Sequence, residues 1–117
     1  MKSAAQVYGN VANQTSNPRE LEASLLLDAA SKLQAATKAQ GEPLASALNH
    51  NRKLWTLLMS AVTSKEKPLD VRIRQNIANL GLFVCKQTIS AQLDPKPAKL
   101  APLIAINREL AAGLLGR

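Results

Sequence analysis

The chain of 117 residues has few of the side chains that most often carry chemistry. Cys85 is its one cysteine and His50 its one histidine. A single cysteine excludes an internal disulfide and cysteine-rich metal sites, and no thiols or carboxylates flank His50 at a metal-ligand spacing. Serine–histidine–aspartate signatures, phosphate-binding glycine loops and dinucleotide fingerprints are also missing. We therefore expect no catalytic residue, metal, cofactor or small-molecule substrate, and we predict that the protein is not an enzyme.

Long apolar runs are missing as well. No stretch of about 18 apolar residues could span a bilayer, and Met1-Lys2-Ser3 leads directly into amphipathic sequence with no three-part signal peptide. The sequence therefore predicts a cytoplasmic protein without membrane contact.

Aromatic residues are scarce, and this bears on the fold. Phe83, Tyr8 and Trp55 are the whole aromatic set, while alanine and leucine dominate the apolar residues. Alanine and leucine favour helices, whereas strands are enriched in aromatic and β-branched residues. A length of 117 residues suits one domain. We predict an all-α protein with a single domain over residues 1–117.

Proline, glycine and aspartate divide the chain into helical segments. A weak helix is predicted over residues 3–14, and the short connections favour antiparallel neighbours. The predicted architecture is an antiparallel helical bundle of four main helices plus this short N-terminal helix. The main helices are predicted to run from Pro18 to Ala39, from Glu42 to Thr63, from Asp70 to the Asp94-Pro95 turn, and from about Leu100 to Leu115 with Pro102 in the first turn.

Apolar spacing predicts which faces are buried. In the third main helix, Leu82, Phe83 and Ile89 broaden the apolar surface, so we expect this helix to be central and Cys85 to be buried. The predicted inner residues of the four main helices are Leu21, Leu25, Ala29, Leu33 and Ala36; Leu44, Ala47, Leu48, Trp55, Leu58 and Val62; Ile73, Ile77, Leu80, Val84 and Ala91; and Leu103, Ile104, Leu110 and Leu114.

An Asn-Arg pair occurs twice in the same setting, as LNHNRKL at 48–54 and IAINREL at 104–110. The helical neighbours of Asn51 and of Asn107, three and four residues away, are all apolar. A buried amide without partners costs about 1–3 kcal/mol. Each amide therefore needs a partner, which could be the other asparagine, a helix-end carbonyl or a bound segment. The pair fixes the register of the core in one interpretation and borders a binding surface in the other.

Three neighbours of these asparagines have the same two interpretations. Arg52 and Arg108 follow at the edge of each apolar stripe, where they could pair internally with Glu20, Glu22 or Asp28, or meet an acidic partner. Trp55 is either a core residue or an interface anchor. The predicted partner-binding residues are Asn51, Arg52, Trp55, Asn107 and Arg108.

The net charge of +7 is concentrated in the middle of the chain, since residues 1–50 are neutral. Residues 51–86 hold seven basic and two acidic side chains. This excess could attract RNA, although aromatic residues do not interleave with it as they do in single-strand binding surfaces. RNA contact is the alternative hypothesis, and its predicted residues are Arg52, Lys53, Lys65, Lys67, Arg72 and Arg74.

Several segments together resemble the FlaF family of flagellar biosynthesis proteins from alphaproteobacteria. They are NPRELEASLL at 17–26, NRKLW at 51–55, NLGLFV at 79–84 and LIAINRELAAGL at 103–114, with Tyr8 ahead of them. The resemblance implies a cytoplasmic non-enzyme that promotes flagellin synthesis and flagellum assembly. It implies flagellin as partner, with FlbT, a negative post-transcriptional regulator, acting beside it. Two hypotheses follow: a chaperone-like flagellin-binding protein, or a post-transcriptional regulator that contacts flagellin mRNA.

Overall fold

The computed structural model describes residues 18–39, 41–62 and 70–116, which form four helices. These are α1 (Pro18–Ala39), α2 (Glu42–Val62), α3 (Val71–Leu93) and α4 (Pro97–Leu114). The described ranges contain no strand. The prediction of an all-α protein with four main helices is confirmed. The predicted N-terminal helix over residues 3–14 and the predicted end at Thr63 lie outside the described residues.

Local sequence sets the ends of the first three helices. Pro18 opens α1, where its missing N–H would have no helical partner. Gly41 takes a φ of 65° between α1 and α2, a conformation that favours glycine. Asp70 caps α3, because its Oδ1 accepts a hydrogen bond from the Arg72 backbone N–H at 2.8 Å. At the other end of α3, the Asp94 N–H donates a hydrogen bond to the Ser90 carbonyl.

The start of α4 was predicted wrongly. The helix begins at Pro97 rather than near Leu100, so Pro102 lies inside the helix and not in its first turn. Pro97 occupies the early position where a proline costs no hydrogen bond. Pro102 instead leaves the Ala98 carbonyl without the helical N–H that would normally reach it.

The four helices enclose one core, and neighbours in the chain run antiparallel. Helix α1 packs on α2 and most extensively on α4, and α3 packs on α2 and α4. Asp28 of α1 faces His50 of α2, and Ser90 near the end of α3 accepts from Lys99 at the start of α4. Within the described part of the chain, the backbones of α1 and α3 do not pack on each other, nor do those of α2 and α4.

The burial predicted for Ala29, Leu33 and Ala36 of α1 is confirmed, whereas the first half of its predicted inner face is wrong by part of a turn. Leu21 and Leu25 are half-buried, whereas Leu26 and several alanines are fully buried. Small alanine side chains let α1 and α4 approach closely. The buried residues of α1 are Ala23, Leu26, Ala29, Ala30, Leu33 and Ala36.

Helix α3 is peripheral, which contradicts the prediction that it is central. It packs on two neighbours, as each helix of the bundle does, and it has the largest exposed apolar surface on its outward side. Leu82, Phe83 and Ile89 are consequently exposed, and so are Ile73 and the thiol of Cys85. The burial predicted for Ile77, Val84 and Ala91 is confirmed.

Candidate partner-binding site

The two repeated asparagines meet inside the core. Asn51 on α2 and Asn107 on α4 are both 0% exposed, and Asn107 Nδ2 donates to Asn51 Oδ1 at 2.7 Å. The prediction that both amides are buried, with each other as a candidate partner, is confirmed. Because the backbones of α2 and α4 do not pack on each other in the described chain, this side-chain bond crosses the middle of the core.

Asn107 is the centre of a larger network. Its Oδ1 accepts from Trp55 Nε1 at 2.9 Å, and its Nδ2 also points to the Leu26 carbonyl at 3.3 Å. Trp55 is 3% exposed, so the core interpretation of this residue is the one the structure shows. Asn51 Nδ2 has no hydrogen-bond partner among the described residues. The network therefore ties α1, α2 and α4 together through one side chain.

The five predicted partner-binding residues are not on one surface. Asn51, Trp55 and Asn107 lie in the core, where they cannot line a contact surface. Arg52 and Arg108 are exposed, and partner contact by these two stays a prediction.

The two arginines have different surroundings. Arg52 Nη2 donates to Asn49 Oδ1 at 2.8 Å, one turn earlier on α2. Arg108 lines a shallow groove with Gln34 and Thr37 of α1. The pairing predicted with Asp28 does not form in the described chain, since the carboxylate of Asp28 lies 3.1 Å from Lys32 Nζ and 4.0 Å from His50 Nε2.

An open apolar groove lies between α3 and α4. Its volume is about 300 Å³, and Arg19 of α1 contributes to its lining. The apolar spacing identified several of its residues, but as core residues. We call it the α3–α4 groove, and its lining is Ile73, Asn76, Ile77 and Leu80 of α3, Ile106, Glu109, Leu110, Gly113 and Leu114 of α4, and Arg19.

Sequence reasoning missed this groove for an identifiable reason. Ile73, Leu110 and Leu114 were predicted as inner residues, yet Ile73 is 39% exposed and the two leucines are half-buried. Gly113 opens the space, because a Cβ placed there would have no heavy atom within 4 Å. Gly113, a glycine within the apolar stripe of α4 between Leu110 and Leu114, is the sequence signal that could have found it.

The basic residues of the RNA hypothesis do not form one cluster in the described chain. Arg52 and Lys53 are exposed in the middle of α2, whereas Arg72 and Arg74 lie in the first turn of α3. The connection between α2 and α3 carries Lys65 and Lys67, which lie outside the described residues. Four of the six predicted residues are thus placed, and they occur as two separate pairs.

His50 illustrates the electrostatics of the α1–α2 surface. Burial lowers its pKa below the ordinary 6.5, nearby Lys32 lowers it further, and Asp28 opposes the shift.

The described residues include no group of three His, Cys, Asp or Glu side chains placed to hold a metal ion. None of the described helices has the length and apolar character needed to cross a membrane.

Comparison with known proteins places this structure in a family. Searches among curated proteins and among solved structures found no match. The family model described as flagellar protein FlaF matches residues 4–114, which is nearly the whole chain and includes both Asn-Arg pairs and all four helices. The chain therefore belongs to the FlaF family of flagellar proteins.

Proposed function

We propose that this chain binds flagellin as a non-enzymatic, chaperone-like protein and thereby promotes flagellin synthesis and export. The observation that carries the proposal is the α3–α4 groove, an open apolar surface on a member of a flagellar family. A groove between two helices suits an amphipathic helix, whose apolar face fills it at spacings of three and four residues.

The lining of the groove supports a helical peptide as ligand. Ile73 and Leu110 offer apolar surface on its two walls, and Gly113 leaves room between them. Arg19 and Glu109 contribute one charge of each sign to its lining. Such charges contribute more to orientation and specificity than to affinity, so they would fix the direction of the bound helix.

A groove-filling substitution tests the proposal. Gly113→Trp adds a large side chain where a Cβ meets nothing within 4 Å, so the fold should tolerate it. Any residue other than proline is a better helix former than glycine, by up to about 1 kcal/mol. We expect the variant to keep or raise its melting temperature and to lose at least tenfold in affinity for purified flagellin, measured by calorimetry without FlbT. Gly113→Ala is the matched control, because it stabilises the helix without filling the groove.

Two results would contradict the proposal. One is an absence of wild-type binding to flagellin at micromolar concentration. The other is unchanged affinity in Gly113→Trp, which would show that the binding surface lies outside the groove.

The RNA hypothesis is tested in parallel with the flagellin transcript. Six phosphate contacts on a single strand predict that the logarithm of the association constant falls with the logarithm of the salt concentration at a slope of about −4. Groove binding should depend on salt much less.

A further inference from the structure

The outward side of α3 carries a second apolar surface that is separate from the groove. Four of its residues are among the most exposed large apolar side chains in the described chain: Val71 (68%), Leu82 (64%), Ile89 (52%) and Leu93 (82%). At 100° per residue, positions 71, 82, 89 and 93 fall within about 40° of one another around the helix. We call these four residues the outer stripe.

The outer stripe has the properties of an interface that lacks its partner. Several large apolar side chains exposed on one face usually mark a contact site, and here Gln75 is the polar residue between Val71 and Leu82. The stripe runs the full length of α3, from its first residue to its last, which is about 34 Å at 1.5 Å per residue. Helix α3 packs on α2 and α4, and neither of these two helices covers the outer stripe.

We propose that the outer stripe pairs with the same stripe of a second copy of this chain, with the two α3 helices antiparallel and crossing at Leu82. The two ends of the stripe are equidistant from this residue, since Val71 lies eleven residues before it and Leu93 eleven after it. An antiparallel pair centred there places Val71 of each copy opposite Leu93 of the other. Leu82 then meets its own copy, and Ile89 faces Gln75.

The charges on α3 favour this orientation. Residues 71–93 contain three basic side chains, Arg72, Arg74 and Lys86, and no acid. A parallel pair would place Lys86 beside its own copy, which is unfavourable. The antiparallel pair places it opposite Ala78, and the two arginines opposite Gln92 and Ser90, so that no like charges face each other.

The same charges argue against other partners. Lys86 is the one charged residue of α3 close to the outer stripe, and the polar side chains nearest to it are Gln75 and Asn79, which hydrogen-bond to each other at 3.0 Å. An anionic membrane or an acidic helix is normally recognised by several basic residues along the apolar face. A nearly uncharged stripe is better matched by a copy of itself.

The dimer should be weak and should strengthen with salt. A single helix about 34 Å long and 10–12 Å wide offers less than the roughly 800 Å² per partner of a standard interface. Two copies with a net charge of +7 each repel one another at long range, and salt screens this repulsion. Association with an acidic partner or membrane would instead weaken as salt is added.

Sedimentation equilibrium of the full chain tests the proposal. We expect the average mass to rise from 12.5 kDa towards twice that value as the concentration increases from about 10 µM to about 1 mM, and to rise further with salt. Leu82→Glu should remain monomeric without a change in melting temperature, since this side chain is mostly exposed. Leu27→Glu, at an exposed leucine of α1, is the matched control and should dimerise like the wild type.

Cysteine cross-linking tests the orientation. Two helices with axes 8–10 Å apart bring facing Cα atoms to about 4–5 Å, within reach of a disulfide. Leu82→Cys in a Cys85→Ser background should therefore form a disulfide-linked dimer on oxidation. The wild type should not, because the antiparallel register separates the two copies of Cys85 by about 9 Å along the axis.

Three outcomes would overturn the inference. The first is a constant mass of 12.5 kDa up to about 1 mM. The second is cross-linking of the wild type through Cys85, which would show a parallel pair. The third is a monomeric wild type whose flagellin binding is lost in Leu82→Glu, which would assign the outer stripe to flagellin. The Gly113→Trp variant should still dimerise, so failure of this inference and failure of the proposed function are distinguishable.

Discussion

Replacement of Asn107 by leucine should destabilise the protein far more than the same replacement of Asn51, although both asparagines are fully buried. Asn107 accepts from Trp55 Nε1 and donates to Asn51 Oδ1, so Asn107→Leu leaves two buried polar groups without partners. Each such group costs about 1–3 kcal/mol, and the apolar area of the leucine offsets part of this. We expect a loss of about 3 kcal/mol, or roughly 12 °C in melting temperature for a domain of this size.

Asn51→Leu has different consequences. Asn107 keeps its bond from Trp55 and its contact with the Leu26 carbonyl, and the unpartnered Nδ2 of Asn51 disappears. The expected loss is at most about 1 kcal/mol. The double variant leaves Trp55 Nε1 as the one newly unpartnered group, so its loss should be smaller than that of Asn107→Leu alone. A double variant that loses less stability than one of its single variants is expected when one residue is the centre of the network.

Urea unfolding followed by fluorescence and by circular dichroism measures these effects. Trp55 is the sole tryptophan, and it is buried in the network, so its emission reports directly on the region in question. Asn79→Leu, at an exposed asparagine of α3, is the control and should change the free energy of unfolding by less than about 0.5 kcal/mol. The reasoning is wrong if Asn51→Leu costs as much as Asn107→Leu, or if Asn107→Leu costs less than about 1 kcal/mol.

Three further predictions concern single contacts. A Cβ at Gly81 would lie 2.5 Å from Met59 Sδ, and this overlap should outweigh the gain of about 1 kcal/mol that alanine brings to a helix, so Gly81→Ala should cost about 1 kcal/mol by urea unfolding and should become stabilising in a Met59→Ala background. Asp70→Ala should cost about 1 kcal/mol by loss of the α3 cap, and Asp70→Asn much less. Burial and then Lys32 lower the pKa of His50 below 6.5, so the unfolded chain binds more protons, and stability should fall as pH drops below 6.5. His50→Gln should flatten this dependence of the urea midpoint on pH.

The ends of the helices could be predicted because a few adjacent residues encode them. Pro18 and Asp70 act on N–H groups within one turn, and Gly41 supplies a backbone conformation at its own position. Pro102 is the exception. Both Pro97 and Pro102 could have occupied the first turn of α4. The one nearer the preceding turn, Pro97, occupies it.

The burial of Asn51 and Asn107 could also be predicted. The apolar residues around each asparagine form the buried face of its helix, so the asparagine is buried with them. The spacing did not show that the two amides bond each other rather than a ligand, since that depends on which helices lie diagonally across the core. The same dependence explains the errors at Cys85 and Leu82. Their apolar surroundings indicate burial only if a neighbouring helix covers that side of α3, and no described helix does so.

The polar network and the α3–α4 groove are connected through α4. A core made mainly of alanine and leucine can pack in several registers at similar cost, whereas one amide pair at 2.7 Å is satisfied in a single register. Asn107 follows Ile106 directly and precedes Leu110 by three residues, and both of these line the groove. The bond to Asn51 therefore sets where these two side chains stand relative to α3. The two asparagines of the repeated pair are thus part of the scaffold, and their bond helps to fix the shape of a groove whose surface they do not form.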